Sequence, residues 1–369
     1  MYSNEIQIKL ARLSQYLSQN NLDGILLGTR ANFAWITAGR DNHIVSASET
    51  GVAAILATPD KLICLTNHIE SSRFRTEELV GMGIDVIDFP WWNPEPARDT
   101  VAQVIAGRRI ATDGPDFGLG LPSLPAGFNQ LRWSLTDMEI QKYRYCGQLA
   151  SAALEAVCRQ VQPGETEFDI AARLEFEVQR TGAFPYVTLV STDQRVFDYR
   201  HPIPTPRKLQ RYAMLVVCAE YRGLIASCTR FIHFGPLPDD IRKKQQAVCN
   251  VDTTVNLATR PGRLTSEVFA DLQAAYEANG YPGEWQNHHQ GGSTGYAGRE
   301  VIATPSTPHP VLANQAFAWN PSIQGTKSED TVLITDSGLE ILTTCSETWP
   351  KLTGHAPQGD MLRPDILTR

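Results

Sequence analysis

The chain has 369 residues, 42% hydrophobic and 20% charged, which is too long for one average domain and ordinary for a soluble globular protein of two. A net charge of −7 with scattered Lys and Arg leaves no basic stripe, so a nucleic-acid partner is not expected. No apolar run reaches the roughly 18 residues of a membrane span, and the opening MYSNEIQIKL lacks an apolar signal core. Neither membrane binding nor export is therefore expected.

The first 125 or so residues alternate helix and strand. Ile6, Leu10, Leu13 and Leu17 fall at helical spacing, and DGILLG then reads as a short buried strand. GVAAILA and KLICLT read as two strands joined by TPD. A helix over IESSRFRTEELVGMG, the strand DVIDF, a helix around TVAQVIAG and the strand RIATD complete a small α/β layer. DGPDFGLGLPSLPAGFNQ follows, dense in Gly and Pro. Its G-L-G is no dinucleotide fingerprint, because Pro122 and Pro125 forbid the helix that such a fingerprint must open. It reads as a linker between a domain at 1–125 and another at 126–369.

The second domain carries an internal rhythm. A helix from about Thr136 to Gln160 precedes one opening at TEFD, where Thr166 can cap and Asp169 can answer. The strand YVTLVS and a long hairpin turning at Arg222–Gly223 follow. Two more helices, DDIRKKQQAVCNVDTTVNLAT and TSEVFADLQAAYEANG, then lead into strands ending in EDTVLIT. Helix pair, strands, helix pair, strands predicts two α+β halves around one curved sheet, with a site on its concave face. The seven cysteines include no C-x-x-C pair and fit reduced thiols in a cytoplasm.

This order, with several motifs, resembles the creatinase/aminopeptidase P/prolidase/methionine aminopeptidase superfamily over nearly the whole length. RLSQYLSQNNLDGILLGTRANFAWITAG resembles the smaller N-terminal domains of creatinase and aminopeptidase P. LTDMEIQKYR stands where the family has its Lys-x-x-x-Glu-Ile helix start, AEYRGLIASCTRFIHFG parallels its Gly-Tyr-x-x-Asp-Ile-Thr-Arg hairpin, and KSEDTVLIT its Arg-x-Glu-Asp-Thr-Val ending. The fold implied is an α/β N-terminal domain plus an α+β pita-bread C-terminal domain with a pseudo-twofold repeat.

The family's metallopeptidases hold two metal ions with two Asp, one His and two Glu, since such ions need bridging carboxylates to activate water. By the resemblance the second Asp falls on Ser227, and the first on Cys218 or Val216, depending on the length given to the hairpin tip. The metal His falls on Gly292, the first Glu on Asn320, and only Glu329 keeps its carboxylate. Such a set does not hold a dinuclear centre. Neighbours on a strand face opposite sides, so His288 and His289 are not expected to share an ion. A lone zinc on His201, one of that pair and Glu329 is the open alternative. Otherwise no metal and no cofactor are expected.

Creatinase implies what chemistry is left: hydrolysis of a C–N bond with a histidine as proton shuttle. His201, in YRHPIPTPRKLQRYAMLVV, stands in the segment before the hairpin where that histidine lies. His288 matches a substrate-contacting histidine of aminopeptidase P and prolidase, with His289 beside it, and which of them faces the cavity is open. Arg299 matches a creatinase Arg that pairs with the substrate carboxylate, although pairing with Glu300 or Glu329 competes with that role. Glu329 can orient His201, hold a cationic substrate group, or simply pair with Lys327. Asn320 suits a neutral amide, and Cys218 or Ser227 offers an alternative nucleophile.

The reading is a cytoplasmic, metal-independent hydrolase of a small amidine, amide or dipeptide-like substrate, with His201 and Glu329 catalytic. His288, His289, Arg299, Asn320, Cys218 and Ser227 would bind substrate. The alternatives are a catalytically inactive binding protein of the same fold and an Xaa-Pro peptidase-like metalloenzyme. Creatinase-like relatives also imply a homodimer, with Arg40 or His43 of the polar loop TAGRDNHIVSASETG near the partner's site.

Overall fold

Helix α1, Asn4–Gln19, opens the computed structural model, which describes residues 2–369. Ser3 caps it by accepting from the Ile6 amide, and the expected stripe of Ile6, Leu10, Leu13 and Leu17 is buried. Lys9 is also fully buried on this helix, its ammonium donating to Glu5 and to the Trp35 carbonyl at 2.7 Å each. Two compact units divide the chain, Met1–Arg132 and Trp133–Arg369.

In the first unit, β1 (Gly24–Thr29), β2 (Thr50–Ala57), β3 (Leu62–Asn67), β4 (Asp85–Phe89) and β5 (Ile110–Thr112) form one sheet in the order β4-β3-β2-β1-β5. Two local expectations fail. RANFAWI forms a helix, α2 (Arg30–Ile36), that the sequence does not signal: five of its seven residues are buried, so no polar face marks its period. The helix expected over 69–83 is only a turn at Ser71–Arg73 that widens into a π-turn at Phe74–Glu78. Gly81 and Gly83 at φ +74° and +70° bar its extension. Helix α3 (Pro94–Ile105) starts earlier than its apolar pattern, because Asn93 accepts from the Glu95 amide at 3.0 Å and Pro94 takes the first position.

The second unit begins with α4 (Asp137–Gln160) and α5 (Glu167–Gln179), each opened by a reciprocal cap. The Thr166/Asp169 cap forms as its spacing predicts, with the Asp169 amide 3.1 Å from the Thr166 hydroxyl and the Thr166 amide 3.0 Å from the Asp169 carboxylate. Strands β6 (Phe184–Thr192), β7 (Tyr212–Tyr221) and β8 (Leu224–His233) lie antiparallel, and Arg222 and Gly223 turn the hairpin at φ +54° and +81°.

The pattern then repeats. Helices α6 (Asp239–Ala258) and α7 (Thr265–Ala278) pack Val248, Val255, Phe269 and Leu272 against Phe317, Trp319 and Val332. These last three belong to the sheet of β9 (Gly291–Thr294), β10 (Gln315–Trp319), β11 (Asp330–Thr335) and β12 (Gly338–Ile341), paired in that order. Instead of the one curved sheet expected, there are two ladders. They are stitched where β8 meets β11: the Thr229 amide donates to the Glu329 carbonyl at 3.2 Å, and the Thr331 hydroxyl joins both the amide and the carbonyl of Ser227.

At this seam side chains alternate sides. Thr229 and Glu329 point together to one side, their side chains 2.6 Å apart. Arg230 and Asp330 point to the other, into a fully buried charge cluster. Asp330 accepts from Arg230 at 3.0 Å and from Arg363 at 2.8 Å, and Arg363 also reaches Asp252 of α6 at 2.6 Å. Arg363 arrives on a hairpin, β13 (Lys351–Ala356) and β14 (Gly359–Pro364), that the sequence reading does not contain. Among the described residues no helix is long and apolar enough to cross a membrane.

Asp330→Asn keeps the shape but strips both guanidiniums of their shared charge. It is expected to lower stability by about 3–5 kcal/mol, the usual result of leaving a buried charge uncompensated. Urea unfolding of the full chain followed by tryptophan fluorescence reads the change.

Candidate active site

Glu329 lies in the two-residue link between the small ladder of Ser322–Ile323 with Thr326–Lys327 and β11. It is 3% exposed and every near neighbour is a donor: the Lys327 ammonium at 2.7 Å, the Arg299 guanidinium at 3.2 Å and the Thr229 hydroxyl at 2.6 Å. Burial alone would push this carboxyl up, but the Lys327 and Arg299 charges overcome it and hold it at about 2. Arg299 also donates to the Gly298 carbonyl at 2.6 Å, while its Nε is buried without a partner. Of the roles left open for Arg299, the structure forms the ion pair with Glu329.

Beside Glu329, register sets the hairpin residues. Cys218 lies opposite Ser227 and Val216 opposite Thr229, so all four share the face that Thr229 turns toward Glu329. The Ser227 hydroxyl meets the Cys218 sulfur at 3.1 Å. Burial, aided by the Glu329 charge, pushes the Cys218 thiol up, so it stays protonated at neutral pH and is a poor nucleophile.

The three histidines gather in one place. His201 lies exposed on the loop between a helical turn at Gln194–Asp198 and β7. His288 and His289 follow a 3₁₀ turn at Glu284–Asn287, and Arg200 pairs with Glu284 to tie the two segments together. His288 Nε2 is 3.0 Å from His201 Nε2, and the His289 ring centre is 4.7 Å from that of His288 and 5.4 Å from that of His201. The expected opposite facing of His288 and His289 is therefore wrong. β9 starts only at Gly291, so both histidines precede the ladder, in a segment where the chain bends.

The rings are held from behind. Ser322 Oγ is 3.3 Å from His288 Nδ1, and the Gly291 amide donates to His289 Nδ1 at 3.3 Å. Fully buried Gln290 donates to the His288 carbonyl at 2.6 Å and accepts from Tyr276, whose hydroxyl also receives the Ser322 amide. All three imidazoles are neutral at pH 7. Burial and then Lys327 lower His201 and take His288 far below the usual range, and burial and then Arg299 bring His289 to about 4. Of the roles left open for Glu329 the structure forms the pair with Lys327, while His201 bonds to His288.

Residues 141–336, more than half of the chain, match metallopeptidase family M24. The chain belongs to that family. It is 26% identical over 227 residues to an uncharacterized peptidase of Staphylococcus aureus (strain MW2), an alignment that covers 58% of this chain and 63% of that relative. The Xaa-Pro dipeptidase of Bacillus anthracis superposes with a TM-score of 0.77 at 17% identity, over 99% of this chain and 100% of that one. The N-terminal domain of the FACT complex subunit SPT16 from Cicer arietinum superposes with a TM-score of 0.70 at 13% identity, over 93% and 97%. At these identities the structures establish the pita-bread fold and no more.

The paired metal ions that M24 implies do not fit these residues. Glu329 is already neutralised by two cations, and Cys218 and Ser227 offer a protonated thiol and a hydroxyl in place of carboxylates. At Gly292 the backbone itself forbids a histidine: φ is +148°, and a Cβ would lie 2.1 Å from the Val301 carbonyl oxygen. Asn320, 2% exposed, has an amide oxygen without a partner and no charge to give.

Sequence reasoning missed Thr229 and Ser322 and gave Lys327 only a passing role. Thr229 was within reach, two residues beyond Ser227 on the same strand face. Ser322 was not, because Pro321 and the turn after it decide where its hydroxyl points.

Glu329 predicts an acid dependence with a definite sign. Its folded pKa lies below the roughly 4.3 of an unfolded glutamate, so its contribution is fully present above that value and is lost as pH falls toward 2. Glu329→Gln should destabilise by about 3–5 kcal/mol at pH 7 by leaving buried Lys327 unpaired. The gap from wild type should narrow as pH drops from 4.5 to 2.5, as read by denaturant unfolding at each pH.

Proposed function

We propose that this M24 member is a peptidase-like hydrolase that cleaves a C–N bond in a small amide, amidine or dipeptide-like substrate without a dinuclear metal pair. His201 acts as general base and acid. The observation that carries this reading is the His201–His288 pair at 3.0 Å, neutral at pH 7 and open to solvent on the His201 side. One ring Nε2–H donates to the other ring's lone pair, and His288 is fixed from behind by Ser322. A neutral His201 can take a proton from water as that water attacks the carbonyl or amidine carbon, and return it to the departing nitrogen. Lys327 and Arg299 against the single charge of Glu329 leave a positive surplus beside the rings, suited to a substrate carboxylate or a developing oxyanion. Glu329 thus serves by holding these cations and not by touching His201.

A panel of guanidino acids, N-carbamoyl acids, acyl amides and Xaa-Pro dipeptides defines the substrate. His201→Ala should then lower kcat at least about 10²-fold with the fold intact, and Cys218→Ser should be nearly neutral. Activity should survive EDTA. Full activity in His201→Ala would end the mechanism, and loss of activity in EDTA restored by Mn²⁺ or Co²⁺ would end its metal independence. If no substrate of the panel turns over, a non-catalytic binding role replaces it.

The chain is further proposed to work as a homodimer in a reducing compartment, which suits seven cysteines that all remain free. Light scattering at micromolar concentration should return twice the 40.8 kDa chain mass, and a monomer mass would refute the dimer.

A further inference from the structure

We infer that His201, His288 and His289 form a site for a single borderline divalent cation (Zn²⁺, Ni²⁺ or Cu²⁺), and that its occupancy switches the hydrolase off. The inhibitory half rests on the His201 mechanism proposed above, whereas the binding half does not.

One ligand atom from each of the three histidines lies within 4.8 Å of the others. His201 Nε2 and His288 Nε2 are 3.0 Å apart. Two imidazoles on one tetrahedral zinc, at bonds of roughly 2.0–2.1 Å, place their nitrogens about 3.3 Å apart, so this pair is close to a ligating geometry. The rings are neutral at pH 7, and a cation there displaces few protons. Ser322 behind His288 Nδ1 leaves Nε2 aimed at His201, the outer support that metal-binding imidazoles use. His289 is the weakest of the three, because it must give up the 3.3 Å bond from the Gly291 amide to ligate.

The surroundings select the ion. Lys327 and Arg299 repel any cation held by charge alone, and the one nearby carboxylate, Glu329, is already bound to both. Mg²⁺, Ca²⁺ and Mn²⁺ prefer oxygen donors and gain little here, whereas Zn²⁺, Ni²⁺ and Cu²⁺ bind neutral imidazole well. The same positive surplus favours an anion in the fourth position. A metal in this site occupies the lone pairs of His201 and His288 that proton transfer requires, so binding and catalysis exclude one another. This site is separate in residues and in donor chemistry from the carboxylate-bridged pair of the family.

The test uses the full chain dialysed against EDTA and then freed of chelator. Calorimetric titration with Zn²⁺ should show one equivalent bound, and Cu²⁺ should give an electron paramagnetic resonance signal split by several nitrogens. His288→Asn and His289→Asn should each weaken Zn²⁺ binding at least 10-fold, while Cys218→Ser should retain it and excess Mg²⁺ should not compete. Against any substrate found, Zn²⁺ should inhibit in parallel with occupancy, and EDTA should restore turnover. No Zn²⁺ binding, or binding indifferent to both histidine variants, overturns the site even if His201→Ala is inactive. A Cu²⁺ signal without nitrogen splitting overturns it as well, independent of any variant. Binding without inhibition leaves the site standing and instead removes His201 from the mechanism.

Discussion

Asp330 is the pin of the second unit. It takes Arg230 from the hairpin and Arg363 from the last strand pair, and Arg363 reaches on to Asp252 in a helix, so one carboxylate joins elements more than a hundred residues apart. A buried cluster of this kind adds little net stability over an apolar core, but it tolerates no loss of a member and admits few alternative registers. Register matters here because the chain alternates. With Asp330 fixed inward, Glu329 must face the other side, and Thr229 must do the same beside Arg230. The structural cluster and the candidate site are two faces of the same seam.

On the site face a different balance holds. The candidate site buries one carboxylate, Glu329, and surrounds it with an ammonium and a guanidinium. The positive charge an ion would bring is supplied by side chains, and it comes with the chain already folded. Such cations polarise an oxyanion and attract a carboxylate, but they do not deliver hydroxide. No base is among them, and the mechanism proposed for His201 draws instead on the separate cluster of three imidazoles.

How much of this was legible follows from how local each signal is. The Thr166/Asp169 cap and the Arg222–Gly223 turn depend on neighbours in sequence, and both form as their spacing dictates. Helix α2 was invisible because burial on nearly all sides erases its period. The hairpin carrying Arg363 was missed because its meaning lies in a contact with Asp330 and Asp252 that no spacing reveals. His201, Glu329 and Arg299 were reachable by position along the chain, and the pairing of Glu329 with Lys327 and Arg299 was among the alternatives, but the bond from His201 to His288 was not. The error over His288 and His289 has a single cause, a strand assumed to begin before Gly291.

Gly292 shows how a backbone, and not only a set of side chains, decides what a position can hold. Gly291 and Gly292 adopt φ values of +96° and +148°, and the Val301 carbonyl presses to within 2.1 Å of where a Cβ would stand. A side chain at 292 requires the Gly292 angle to change or the neighbouring Val301–Ala303 backbone to give way. The same short strand begins at Gly291, whose amide holds the His289 ring at 3.3 Å, so the tight glycine backbone and the imidazole cluster adjoin. A histidine at 292 would therefore have to reshape the backbone beside the imidazoles, a constraint that a comparison of side chains alone does not reveal.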